Sequence, residues 1–178
     1  MITLWLVTLS LTAIAAVLDW RRGHIPNWLT GLALGSALVG HAVLGFGRSG
    51  VRGALIEVGW SLAGVVVCGA PLFWLFVRGV LGGGDLKLFA AIGALLHPMM
   101  GLEVEVHAYV VAIVIAVGQL VHRGVLVQTL GTALRIATRP FRKRNTEPVD
   151  AGPHLLQWFP LGPSIFAGVL VSFCFGGR

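Results

Sequence analysis

Six stretches of this sequence run for 17 residues or more with almost no formal charge: 2–18, 28–47, 58–77, 86–102, 106–122 and 155–175. Lys87 is the single Lys, Arg, Asp or Glu within them. A hydrocarbon layer about 30 Å thick is crossed by roughly 17–25 apolar residues in helical form. Inside that layer every backbone N–H and C=O must be satisfied within the protein. Runs of this length therefore restrict the chain to helices packed side by side in lipid. The rest of the composition agrees. Only 11% of the residues are charged and the mean hydropathy is +0.87, against about 25% charged in a soluble domain. The expectation is an all-α, polytopic membrane protein of about six transmembrane helices, forming one domain over residues 1–178.

The links between the runs carry the polar chemistry. The first run has no Lys or Arg before it, so it reads as an uncleaved helix and not as a signal peptide. Asp19-Trp20-Arg21-Arg22-Gly23-His24-Ile25-Pro26-Asn27 ends it, because glycine and Ile-Pro stop a helix. Pro71 is expected to kink the third run. His97-Pro98 interrupts the fourth, and Glu103, Glu105 and His107 read as a polar turn before the fifth. Residues 123–150 collect Arg123, Arg135, Arg139, Arg142, Lys143 and Arg144 among regularly spaced leucines and alanines. They read as an amphipathic, cytoplasmic basic segment. Cys68 and Cys174 lie in apolar runs and form no CxxC pair, so they read as packing residues. The tryptophans fall mostly near run ends, as in an interfacial belt.

Charge distribution orients the chain. With the N-terminus outside, ten Lys and Arg residues lie on the cytoplasmic side and three, Arg48, Arg52 and Arg178, outside. This is a positive-inside asymmetry. The net charge of +6 is thereby explained by topology and anionic lipid, with no role for nucleic acid.

The same topology returns two aspartates to one face. Asp19 follows the first crossing and Asp85 follows the third. Asp85 closes the stretch Gly82-Gly83-Gly84-Asp85, an acid at a membrane edge beside a flexible backbone. Such an acid costs roughly 2.5–3.5 kcal/mol at the bilayer centre on insertion scales and is a functional candidate. Taken singly, each aspartate has an ordinary reading: Asp85 as a helix N-cap, Asp19 as a polar helix end. As a pair, two close carboxylates do not both ionise easily. One can then activate a water while the other, protonated, polarises a carbonyl, which is general acid–base hydrolysis. The glycines leave room for a substrate backbone and permit positive φ.

These residues resemble the type IV prepilin peptidase family of membrane aspartic proteases, and most closely its small members that serve Flp-type pili. The family pairs an aspartate shortly before Ile-Pro-Asn with a second in Gly-x-Gly-Asp. Here those are Asp19 with Ile25-Pro26-Asn27, and Gly82-Gly83-Gly84-Asp85 with its continuation to Gly93. Pro160-Leu161-Gly162-Pro163 is a weaker similarity. The resemblance implies a peptidase that removes the basic leader of prepilins or pseudopilins at the cytoplasmic face of the bacterial inner membrane. It implies Asp19 and Asp85 as catalytic residues, and Gly82, Gly83, Gly84, Lys87, Pro26 and Asn27 as substrate-binding residues. It implies no metal and no cofactor. The partners would be prepilin helices, lipid and, indirectly, the pilus assembly machinery. The CxxC-bearing domain of larger, methylating relatives has no counterpart in these residues, so peptidase activity without methyl transfer is expected.

Within the pair, a helix beginning at Asp85 favours its charged form, which would make Asp85 the base and Asp19 the acid. Lys87 has a second reading as a snorkelling side chain; His24 reads either as a group that tunes Asp19 or as a loop histidine, and Glu57 as the partner of Arg52 or Arg48. Two other functions compete: a small transporter with both acids deep in the bilayer, and a non-catalytic assembly factor indifferent to Asp→Asn changes.

Overall fold

The structure, a computed structural model, describes residues 2–78, 81–122 and 161–176. All regular structure among them is helical. The elements are α1 (Ile2–Arg22), α2 (Asn27–Val77), α3 (Gly83–His122) and α4 (Gly162–Gly176). Four helices therefore stand where six were expected. The reason lies in two internal breaks. α2 has 51 residues, with non-helical backbone only at Ser49 and Gly50 (φ 61°, ψ −147°). α3 has 40 residues, with non-helical backbone only at His97 (φ 68°, ψ 165°), just before Pro98. At 1.5 Å per residue, straight helices of these lengths would measure about 76 and 60 Å, twice the thickness of a bilayer.

They are not straight. Gly45 lies against the backbone of Gly53, and Gly101 against that of Gly93. Residues eight apart on a straight helix are about 12 Å apart, so each helix doubles back at its break. In both, the touching glycines flank the break, at three or four residues from it on each side. The arms pack because no Cβ separates their backbones. In lipid, where burial of apolar surface gives no driving force between helices, such close approach is the main source of association.

Two sequence expectations are corrected by this. α3 runs without a break through Glu103, Glu105 and His107, so the expected boundary between runs 86–102 and 106–122 falls instead at His97. Glu105 is buried inside a helix and is not in a polar turn. Pro71 sits in α2 with helical backbone on both sides, so the kink expected there is not found, whereas the break at Ser49–Gly50 falls in the expected link between runs 28–47 and 58–77. The basic segment 123–150 lies outside the described residues.

Residues 1–112 and 160–178 form one compact unit, and 113–159 a second. Of the second, residues 113–122 are described: the last turns of α3, with Ile113, Val114 and Val121 exposed. In the first unit, α1 and α4 pack along their lengths, with Trp5 and Phe173 in ring contact at 5.7 Å. The second arm of α2 meets α3 at Gly64 and Gly93, backbone to backbone, with Cys68 beside them. Ser61 Oγ donates to Ala94 O at 2.9 Å across the same seam. Phe89, Leu29, Leu72, Leu88, Ile92 and Ile165 fill the interior. Thr8 and Thr12, buried in α1, donate to carbonyls one turn back at 2.8 and 2.7 Å, which satisfies their hydroxyls without a neighbouring helix. The outside is apolar: Trp20, Trp28, Val39, Val66, Trp74 and Val110 are among many large exposed residues. Three of the helices are long and apolar enough to span a bilayer. The chain is a membrane protein.

Candidate active site

Asp19 stands in the last turn of α1. That turn ends because Gly23 adopts positive φ (67°) and its N–H closes on the Asp19 carbonyl at 2.7 Å. This is the left-handed glycine stop common at helix C-termini. The Asp19 side chain is buried, 7% exposed, and its Oδ2 accepts the backbone N–H of Gly162 at 2.8 Å. Gly162 is the first residue of α4, so its N–H is one of the orphan donors of a helix start. A Cβ on Gly162 would lie 2.8 Å from Asp19 Cβ and 3.1 Å from Ala16 Cα. The Pro-Leu-Gly-Pro stretch thus owes its glycine to the approach of α1.

Asp85 is the third residue of α3 and only partly buried. The first turn closes through Leu86 N–H to Gly82 O at 3.2 Å. The Asp85 carboxylate accepts no hydrogen bond from a described residue, so the N-cap reading of this acid finds no support. Asp19 is close enough for its charge to act on Asp85. The two sequence-predicted acids thus stand at the end of one helix and the start of another, within electrostatic reach of each other.

Two contacts set their register. Gly84 lies against Ile25, whose Cβ and O would be 3.2 and 3.3 Å from an added Cβ. Two residues beyond Ile25 and three beyond Gly84, Lys87 Nζ donates to Asn27 Oδ1 at 2.8 Å. The Ile-Pro-Asn and Gly-Gly-Gly-Asp motifs are therefore two sides of one joint. Pro26, extended at φ −71° and ψ 142°, forms the N-terminal boundary of α2 between them. The expectation for the glycines changes accordingly. Gly84 makes room for Ile25 and Gly83 packs against Phe76, while Gly82 alone is exposed, facing the Asp85 carboxylate. None of the three has positive φ.

Two shallow grooves are lined by neighbours of these motifs. One, of about 250 Å³, is lined by Asn27, Thr30, Gly31, Val65, Lys87 and Ala91, among others. The other, of about 370 Å³, is lined by Ala16, Val17, Trp20, Arg21 and Pro163 on either side of the Asp19–Gly162 bond.

Some placements were not foreseen. Glu105, Tyr109 and Ser164 are buried polar groups whose side-chain atoms Oε2, OH and Oγ have no hydrogen-bond partner among the described residues. Tyr109 stacks on Phe89 at 5.7 Å and lies within electrostatic reach of both Asp85 and Glu105. Their signal was present in the spacing 105, 108, 109, 112, one helical face that is largely buried. His24 bonds the Arg22 carbonyl at 3.1 Å, a local turn contact. Glu57 pairs with Arg48 at 2.6 Å, as one of the two expected partners.

The family model described as the type IV leader peptidase family matches residues 6–119. No curated protein and no solved structure matches the chain.

Proposed function

The chain belongs to the type IV leader peptidase family, and from that premise we propose an aspartic endopeptidase that hydrolyses prepilin leaders with the Asp19/Asp85 pair. The family makes it a membrane protease of prepilin-type substrates. The finer reading, Flp-type substrates and cleavage at the cytoplasmic face of the inner membrane, rests on the two motifs and the positive-inside charge pattern. The observation that carries the mechanism is the joint between those motifs. Ile25 on Gly84 and Asn27 on Lys87 hold the end of α1 and the start of α3 in one register, with both acids at that register.

The Gly162 N–H distinguishes the two acids. Its hydrogen bond, at the positive end of α4, stabilises negative charge on Asp19. Asp85 has no such donor among the described residues. The roles are therefore the reverse of those inferred from the α3 helix start alone. Asp19 takes a proton from water as the water oxygen attacks the scissile carbonyl. Asp85 donates its proton to the carbonyl oxygen, giving a neutral gem-diol. Collapse of the diol returns one proton to Asp85, the leaving amine takes the proton held by Asp19, and acid and amine products part. The exposed backbone at Gly82 and the Lys87–Asn27 pair flank the scissile segment. The apolar groove at Trp20 and Pro163 takes the helix that follows it.

The test is co-expression with a prepilin carrying a basic leader, reading the mass of the mature product. Wild type yields the trimmed chain with an unmethylated N-terminus. Asp19→Asn and Asp85→Asn yield the full precursor, and normal processing by either variant refutes the pair.

A further inference from the structure

At the far end of α3's first arm, 12 residues and about 18 Å from Asp85 at helical rise, lies a second polar cluster that catalysis does not use. His41 from the first arm of α2, Glu57 from its second arm and His97 from the break in α3 converge there. His41 is 2% exposed, and its Nε2 lies 3.1 Å from the Leu95 carbonyl. A carbonyl only accepts, so Nε2 carries the proton and Nδ1 presents a lone pair. That lone pair faces His97 Nε2 at 3.1 Å and Glu57 Oε2 at 3.6 Å, and the third side, His97 Nε2 to Glu57 Oε2, is 3.4 Å. Three potential donor atoms thus form a nearly equilateral triangle. Tetrahedral zinc, with bonds of about 2.0–2.1 Å to nitrogen and oxygen, holds neighbouring ligand atoms roughly 3.3–3.4 Å apart. The triangle has the edge of one face of that tetrahedron.

The surroundings fix each ligand. The Leu95 carbonyl sets the tautomer and tilt of His41, as second partners of metal-bound histidines do. Arg48 holds the other carboxylate oxygen of Glu57 at 2.6 Å while remaining 60% exposed, so its charge is screened by solvent. His97 is the one non-glycine residue of positive φ among those described. Backbone strain of this kind persists where the surroundings impose it. Here it turns the His97 ring over that of His41, with centroids 4.3 Å apart.

We propose that His41, Glu57 and His97 form a binding site for a zinc-type divalent metal ion, which pins both arms of α2 to the turn of α3. The fourth position would be filled by water. In the metal-free protein His97 carries its proton on Nε2 and shares it with His41 Nδ1 and Glu57 Oε2. On metal binding that proton moves to His97 Nδ1, which frees Nε2 as a ligand, and the net proton count of the pair of rings is unchanged. The site was invisible in the sequence because its ligands are 16 and 40 residues apart (57 − 41 and 97 − 57) and meet only through the two folded-back helices.

The test uses the full chain, purified in detergent without a polyhistidine tag and stripped with a chelator. Titration with zinc alone should give one tightly held ion per chain and raise the thermal midpoint, and magnesium should do neither. Cobalt alone should give the visible bands of a four-coordinate ion. Glu57→Gln and His97→Gln should each weaken zinc binding at least tenfold. His24→Gln and His122→Ala should retain it. Asp85→Asn should bind zinc as wild type does, so the result is separate from the peptidase reading. Absence of saturable cobalt bands in the wild-type chain overturns the proposal, and so does undiminished binding by Glu57→Gln. Either result leaves the cluster as a proton-sharing triad.

Discussion

Gly162→Ala is the sharpest probe of how the site is held. An added Cβ would lie 2.8 Å from Asp19 Cβ and 2.9 Å from Asp19 Oδ2, closer than real Cβ atoms come to such neighbours. α4 must retreat or Asp19 must turn, and either movement breaks the 2.8 Å N–H to Oδ2 bond. A hydrogen bond to a charged group contributes about 1.5–3 kcal/mol. With 1.36 kcal/mol per factor of ten in rate, kcat should fall roughly 10- to 150-fold if the bond steadies Asp19 during proton transfer. Overpacking will also cost stability, on the order of 1–3 kcal/mol. Gly168→Ala supplies the control, because its Cβ would press on the Ala108 backbone at 2.5–2.6 Å, away from the acids. The assay is single-turnover cleavage of a prepilin peptide in proteoliposomes, with thermal midpoints measured in parallel. The expected pattern is similar destabilisation in both variants and a loss of kcat only at Gly162. A Gly162→Ala enzyme within twofold of wild-type kcat refutes the role given to this N–H.

Other perturbations separate structural from functional groups. Lys87→Met and Asn27→Ala each remove one exposed hydrogen bond. Loss of about 1 kcal/mol from a pair that both flanks the substrate and holds the two acids in register should lower kcat/KM roughly fivefold, as Michaelis–Menten kinetics on the same peptide will show. Gly93→Ala drives a methyl into the Gly64 backbone and the Cys68 sulfur. It should lower the thermal midpoint in detergent by several degrees, given about 1–3 kcal/mol for overpacking and roughly 2–4 °C per kcal/mol at this size. Glu105→Gln replaces a buried carboxyl that has no partner among the described residues with a neutral group of the same shape. The midpoint should stay or rise, and a drop of more than about 5 °C would reveal an ionic partner.

The membrane class and the two acids were legible because each rests on local pattern. Uncharged runs of bilayer length admit only helices, and the positions of Asp19 and Asp85 relative to those runs put them on one face. Both breaks left a mark in the sequence. His97-Pro98 marked one, yet the polar residues Glu103, Glu105 and His107 suggested a boundary where α3 continues unbroken. A carboxylate reads as a loop residue unless its helical neighbours, here Ala108 and Ala112, are weighed with it. The other break, at Ser49–Gly50, falls in the charged link expected between runs 28–47 and 58–77, whereas Pro71, the expected kink, lies within intact helix. Proline is tolerated in lipid-embedded helices when neighbours satisfy the freed carbonyl. The glycines of Gly-Gly-Gly-Asp were read as space for substrate, but two of them accommodate Phe76 and Ile25. Only tertiary contact decides which neighbour a missing side chain admits. For the same reason Gly162, 143 residues from Asp19 in sequence, could not be matched to it beforehand.

The shared role of the two acids is tested most directly by a double-mutant cycle on purified enzyme. General acid–base groups contribute about 10²- to 10⁴-fold in rate, and residues that act as a unit are not additive. Asp19→Asn and Asp85→Asn should each reduce kcat by at least a hundredfold, and the double variant should be little slower than either alone. Multiplicative losses, or a single variant with near wild-type kcat, would show that Asp19 and Asp85 do not act together on one water.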